Sequence, residues 1–444
     1  MELRDFIVTP LVLLVVYILA YRLRPRFTDV NTRRFFIPAL TVRIIGALAV
    51  GFIYQFYYGG GDTFGYHTHG SAIIWDAFVD SPISGLRLLF ANENLMPDLF
   101  DYTSKIWFYG DLPSYFVIRI AAVFDLLTFR VYSATAVLFA CMSFTGIWAL
   151  YNFFCQNFPG LYKMLAIAVL FVPSVFFWGS GIFKDTITLT ALGWATYSFD
   201  QFFFQKRKIA GNAIILLLTF FIIFSIKKYI LLCFIPALII WIYTSNLASI
   251  RSFVIKIMVA PFIFAVSGAL AYWAIVKVGE DDKRYAIENI AQTAQITAYD
   301  IAYWTGRSAG STYTLGELDG TYTSMFRLLP NAIIVSLFRP YFWEVSNPFM
   351  LLTAIESFMV LALTFLVIYE TKIIRIFSKD TSPIVYFCLT FSLVFAFAVG
   401  VSTFNFGTLM RYKIPLLPYY ISALLILYNY SKRERKLTLL DNTE

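Results

Sequence analysis

Asp62 follows three glycines and precedes both of the chain's histidines, in the run Gly59-Gly60-Gly61-Asp62-Thr63-Phe64-Gly65-Tyr66-His67-Thr68-His69. A carboxylate can take the proton of a hydroxyl nucleophile, an imidazole can relay a proton or ligate a metal, and consecutive glycines let backbone come close to a ligand. Asp62 and His67 are therefore the candidate catalytic residues, with Tyr66 and His69 as candidate substrate contacts. Two histidines and one carboxylate so close in sequence are a weak metal signature. No metal ligand is assigned and no cofactor is identified, a divalent cation being the one the residues could hold.

Two more segments carry polar groups beside helix-forming apolar runs. In Pro173-Ser174-Val175-Phe176-Phe177-Trp178-Gly179-Ser180-Gly181-Ile182-Phe183-Lys184-Asp185, two glycines free the backbone just before Lys184 and Asp185 open a helix. A cation and backbone amides at a helix start suit a phosphate, although Lys184 reaching lipid headgroups and Asp185 capping the helix would explain the same residues. In Asn405-Phe406-Gly407-Thr408-Leu409-Met410-Arg411-Tyr412-Lys413-Ile414-Pro415-Leu416-Leu417-Pro418, Arg411 offers a planar fork of donors to a phosphate, with Lys413 beside it. Arg339 and Glu344 add a cation and a carboxylate within an aromatic stretch, and Lys227-Lys228 repeats the positive charge.

The elements that position these groups belong to a membrane protein. The 444 residues are 59% hydrophobic and 14% charged, too apolar to clothe a soluble globule, and the long apolar runs fit spanning helices rather than barrel strands. The formal charge of +8 concentrates in short loops, where orientation explains it better than nucleic acid does. Cys141, Cys155, Cys233 and Cys388 sit in or beside apolar segments without CxxC spacing and imply neither metal nor disulfide. The run from Phe6 to Leu23 is too long for a signal core and reads as the first span.

Arg22, Arg24, Arg26, Arg33 and Arg34 mark the following loop as cytoplasmic, so the amino terminus is expected outside, and Lys432 to Lys436 place the carboxyl terminus inside, as do Lys372, Arg375 and Lys379 for their loop. The fold class is an all-α polytopic protein of about eleven spans, near 6–23, 36–57, 131–154, 161–179, 184–204, 209–226, 229–245, 253–276, 347–369, 383–404 and 413–430. Residues 58–130 form a first external loop with two juxtamembrane helices, 71–89 and 112–129, whose polar residues, Arg119 and Asp125 among them, are expected to face water. Residues 277–346 form a second external loop with a re-entrant or interfacial stretch from Phe326 to Phe342, and 431–444 a cytoplasmic tail. The whole reads as one integral domain. Arg43 and Lys256 are expected to snorkel from helix ends. The alternation puts Asp62, Lys184, Arg339 and Arg411 on one non-cytoplasmic face.

This arrangement resembles the integral-membrane glycosyltransferases of the GT-C class. Asp62 matches their acidic residue at the outer end of an early helix, 71–89 and 112–129 match their two loop helices, and Arg411-Tyr412-x-x-Pro415 is similar to a pattern near the end of several lipid-linked sugar transferases. The resemblance implies a polyprenyl-phosphate-linked sugar donor, a glycan, lipid or protein acceptor, and a site at the outer face of a bacterial-type inner membrane. It implies Asp62 as general base, with Arg411 and Lys184 neutralising the phosphate as the sugar leaves. A polysaccharide polymerase fed by lipid-linked oligosaccharide would use the same groups, and a transporter or flippase of an anionic lipid or glycan remains the reading from another class.

Overall fold

The structure, a computed structural model, describes residues 4–92, 96–249, 269, 272, 276–277, 279–280, 282–306, 311–371 and 381–441. Most of the expected helix 253–276, Lys256 included, and the loop of Lys372, Arg375 and Lys379 lie outside them. The described chain is helical and divides into two compact units, Met1–Lys227 and Lys228–Glu444. Seven described helices are long and apolar enough to cross a membrane, so the chain is a helical membrane protein.

The first unit contains α1 (Asp5–Phe27), α2 (Arg33–Phe56), α3 (Asp62–Tyr66), α4 (Ala72–Asp80), α5 (Pro82–Leu89), α6 (Phe100–Thr103), α7 (Leu112–Thr128), α8 (Tyr132–Asn157), α9 (Tyr162–Leu170), α10 (Pro173–Trp178), α11 (Lys184–Phe203) and α12 (Ile209–Ile226). Of these, α1, α2, α8 and α12 have the length and hydropathy of spans. Most of α1 is exposed, with Phe6, Leu11, Leu14 and Ile18 facing outward, as a lipid-facing helix requires. It is pinned to the bundle by polar contacts: Thr9 Oγ1 to Ser133 Oγ at 2.6 Å, Tyr17 to Thr41 at 2.8 Å, and the Trp148 indole donating to the Phe27 carbonyl at 3.0 Å.

At the centre, α11 packs between α8 and α12. Its threonines are buried, and Thr188, Thr190 and Thr196 return their hydroxyl protons to carbonyls one turn back, at 3.0, 2.7 and 2.9 Å. That satisfies the hydroxyls without water. The α8–α11 crossing is built on small residues: a Cβ on Gly146 would strike the Thr190 carbonyl, and one on Gly193 the Gly146 carbonyl. Backbones approach this closely only where side chains are missing.

Two expected elements are interrupted. The run 161–179 breaks between α9 and α10, where Val172 is extended ahead of Pro173. Proline lacks the amide proton and drives its predecessor out of helical geometry. The same device at Ser81-Pro82 splits 71–89 into α4 and α5.

Both ends of the first unit can be identified from its contacts. At one end the α1–α2 turn with its arginines lies near Trp148 of α8, and the ends of α8 and α11 meet through Gln156 and Gln201 at 2.9 Å, just before Lys206-Arg207-Lys208. At the other end lie the start of α1, the end of α2 and the start of α8. The segment between α2 and α8 returns to the end it left. Within it, α7 lies across that end, held by Asp111 to Lys184 before its first turn and by Thr128 to Thr135 in its last.

The second unit contains α13 (Lys228–Ser249), α14 (Ile290–Gly306), α15 (Tyr322–Arg327), α16 (Leu329–Phe338), α17 (Pro348–Thr371), α18 (Pro383–Thr403), α19 (Phe406–Tyr412) and α20 (Leu417–Asp441). Of these, α17, α18 and the residues Lys228–Asn246 of α13 qualify as spans. Phe387 and Phe391 of α18 pack against Phe234 and Trp241 of α13 and against Tyr419 of α20. The ten-residue α16, about 15 Å long, is too short to span. It packs on α18, where Ser336 donates to the Ala396 carbonyl at 2.7 Å and Gly400 admits the Ala332 carbonyl.

Candidate functional site

The glycine run does what its composition predicts. Gly59, Gly60 and Gly61 have φ of 69°, 140° and 131°, and a Cβ on Gly61 would sit 2.7 Å from the Tyr54 ring. No other residue type takes three such conformations in a row cheaply. The turn reverses the chain from α2 into α3, and α3 continues through a π-helical turn over His67–Ser71 into α4.

Asp62 is exposed at the first position of α3, whereas Tyr66 and His67 are buried at 3% and 4% exposure. Five residues at about 100° each put Asp62 and His67 on different flanks of the helix. His67 enters the wall of a cavity of 460 Å³ bounded also by Asp5, Gln55, Phe64, Thr68, His69, Asp76, Arg130, Tyr132 and Ser133. Asp62 is not part of that wall. The cavity sits where α1 begins, α2 ends and α8 begins, at the end of the unit opposite the arginine-rich turn.

The cavity's polar groups are tightly organised. Asp5 accepts from the Ser133 hydroxyl at 2.5 Å, and Arg130 grips both oxygens of Asp76 at 2.5 and 2.6 Å while lying over the Trp75 ring. Phe129 and Arg130 both hold left-handed backbone, with φ of 54° and 63°. This conformation costs a side-chain-bearing residue on the order of 1–3 kcal/mol and turns Arg130 back toward α4. Phe64 stacks on Tyr132, whose hydroxyl pairs with Thr63 at 2.7 Å. His69 lies flat on Trp107 at 3.8 Å.

Behind the wall, His67 Nε2 lies 3.4 Å from Oδ1 of Asp125, which is fully buried and accepts from Thr135 at 2.6 Å. Neither ring nitrogen of His67 completes a hydrogen bond, and nor does Asp125 Oδ2. The expectation that Asp125 faces water is thereby overturned. Its signal was the helical period: Ile118, Ala121, Asp125 and Thr128 share the buried stripe of α7.

Lys184 and Asp185 diverge. Lys184 pairs with Asp111 at 3.1 Å near the surface, while Asp185, 1% exposed, pairs with Lys227 at 2.5 Å in the interior. Burial opposes ionisation of Asp111, but the Ser114 hydroxyl and the Lys184 ammonium outweigh it and hold the carboxyl below its usual range. The turn from Gly179 to Phe183 is buried, Gly181 against Val50 and Phe183 against Tyr54, so its amides do not open onto a ligand.

Beneath that turn lies Arg43. It does not snorkel: it is 1% exposed in the middle of α2 and donates to Ser143 Oγ at 2.5 Å, the Gly179 carbonyl at 3.0 Å and Ser180 Oγ at 3.4 Å. α10 ends at Trp178, and the Gly179 carbonyl that follows it accepts from both Arg43 and the Ser143 hydroxyl, the latter at 2.5 Å.

In the second unit, Arg339 is clasped by Glu344, Nε lying 3.0 Å from each carboxylate oxygen, with Phe406, Tyr313 and Tyr341 around the guanidinium. Against the burial that would raise it, Arg339 holds the Glu344 carboxyl below its ordinary value. Lys413, 1% exposed, donates to Ser357 Oγ at 3.0 Å and to the Arg339 carbonyl at 3.3 Å. Arg411 is half-buried in the last turn of α19. Glu356, in the apolar stretch of α17, is 7% exposed next to Ser357. An acid within an apolar helix is itself a sequence signal for a buried polar site.

Among the described residues no group of three His, Cys, Asp or Glu side chains is placed to hold a metal ion. The chain matches no family model, and neither a curated protein nor a solved structure matches it.

Proposed function

We propose that the protein is a membrane glycosyltransferase that draws a sugar from a polyprenyl-phosphate-linked donor and transfers it to a glycan, lipid or protein acceptor. The observation that carries this reading is the cavity closed by the Gly59–His69 segment. It is a chamber of 460 Å³ whose largely apolar wall carries a few polar groups, within the usual range for ligand sites, at the end of candidate spans where a lipid-borne donor and a water-borne acceptor can meet. The positive-inside rule puts that end outside, because the arginines lie at the other.

In the reaction the acceptor oxygen attacks the anomeric carbon, the bond from that carbon to the phosphate oxygen breaks, and polyprenyl phosphate leaves with the electron pair. Asp62, exposed beside the chamber, takes the acceptor's proton. Lys184 is the first unit's candidate for the leaving phosphate, exchanging Asp111 for it. Arg411 is the second unit's. The eleven-span GT-C architecture belongs to the same reading.

Purified protein in detergent, given polyprenyl-phosphate sugars and membrane glycans, should release polyprenyl phosphate in step with glycan labelling. A second reading, passage of an anionic lipid, has one observation in its favour: buried Arg43 at the interruption between α10 and α11 resembles the charged, discontinuous helices of transport paths. Vesicles that translocate labelled lipid phosphate without releasing it would favour passage over transfer.

A further inference from the structure

We propose that the cavity is a subsite for a neutral, hydroxyl-rich ring, the acceptor sugar in the transfer reading on which that role rests, and that His67 is the group that receives the ring's hydroxyl. Three features of the chamber point to a neutral occupant.

The first is charge. Asp5 and Asp76 stand against one guanidinium, Arg130, which Asp76 already holds with both oxygens. Among the described residues that line the cavity, a phosphate would meet an excess of negative charge and no cation free of a carboxylate. The second is surface: Phe64 stacked with Tyr132, and His69 backed by Trp107, offer flat apolar faces to the C–H side of a sugar ring, while Gln55 and Thr68 offer polar atoms to its hydroxyls. The third is His67. A side chain 4% exposed, with Asp125 at 3.4 Å from Nε2 but no partner for the buried Nδ1, is costly to leave so. The Asp125 carboxylate beside Nε2 favours the proton there, which leaves Nδ1 a lone pair that needs an O–H donor. A neutral hydroxyl supplies one and a fully ionised phosphate does not. Asp125 acts through His67 as a positioning residue.

The test uses the full-length protein in detergent and neutral methyl glycosides as probes, with inorganic pyrophosphate as the anionic control and tryptophan fluorescence as the readout. At least one glycoside should give a saturable change that pyrophosphate does not. His67→Phe, which keeps the ring against Tyr132, and Gln55→Leu, at a partly exposed position that folding tolerates, should each weaken it by about tenfold or more, the effect of losing ~1.4 kcal/mol of contact. Asp125→Asn should weaken it too, whereas Asp125→Glu should recover part of the loss. In the transfer assay the same variants should raise KM for acceptor and leave KM for donor unchanged. Saturation by pyrophosphate, absence of any saturable glycoside signal, or unchanged binding in folded Gln55→Leu and His67→Phe would each overturn the subsite. Glycoside binding without transfer would keep the subsite and sink the transferase reading.

Discussion

Arg43 has the clearest structural role of any single charge in the first unit. Its guanidinium supplies donors to Ser143, Gly179 and Ser180 where α10 has ended and the chain turns toward α11. Arg43→Met should therefore lower stability by about 1.5–3 kcal/mol, the range for hydrogen bonds made by a charged group, read as a lower thermal midpoint in detergent. A midpoint equal to wild type would remove the role. The Asp111–Lys184 pair predicts a pH effect of smaller size. The folded carboxyl is held below its ordinary value, so its contribution is full above the unfolded value, about 3.9, and is lost as pH falls through the folded one. Because the Asp111 side chain is 48% exposed, screening limits the pair to about 0.2–1 kcal/mol. Asp111→Asn should thus be slightly less stable than wild type at pH 7 and indistinguishable from it in strong acid. A gap that widens on acidification would contradict the assignment.

Among the elements, the crossing of α8 and α11 sets how tightly the first unit closes, because Gly146 and Gly193 let two backbones touch. Gly193→Val should cost about 1–3 kcal/mol or prevent assembly. Gly211→Ala, in α12 with open space around it, should be neutral or gain up to about 1 kcal/mol. Equal effects at the two positions would mean that the crossing is not limiting. Most helix bounds were legible in the sequence, since long apolar runs leave few alternatives, and the glycine turn announced itself. The breaks at Pro82 and Pro173 were written there as well, in residues whose chemistry forbids the continuous helices expected. What the sequence could not reveal was partnership. Asp125 reads as a polar interruption until α7 is seen lying with that face against His67, and Arg43 reads as an interfacial cation until the end of α10 is found above it. Both depend on contacts between residues 58 or more positions apart.

For the whole molecule, the first unit's two ends differ in chemistry: an arginine-rich turn at one, a cavity bordered by Asp5, Asp76 and Arg130 at the other. That arrangement predicts opposite labelling. In a cysteine-free background, Gly110→Cys should react with an impermeant maleimide from outside and Gln205→Cys only after permeabilisation, whereas labelling from the same side would undo the assignment of faces. Of the expected site, Asp62 sits exposed beside the cavity, His67 lines it, and Lys184 is held by Asp111 at the same end. Catalysis of transfer at this end is the central claim, and Asp62 is the residue that tests it most directly. Asp62→Asn keeps shape while removing the base. Transfer of label from polyprenyl-phosphate sugar to glycan should fall by about 10²- to 10⁴-fold in protein whose thermal midpoint is unchanged. Wild-type rates in that variant would contradict the account.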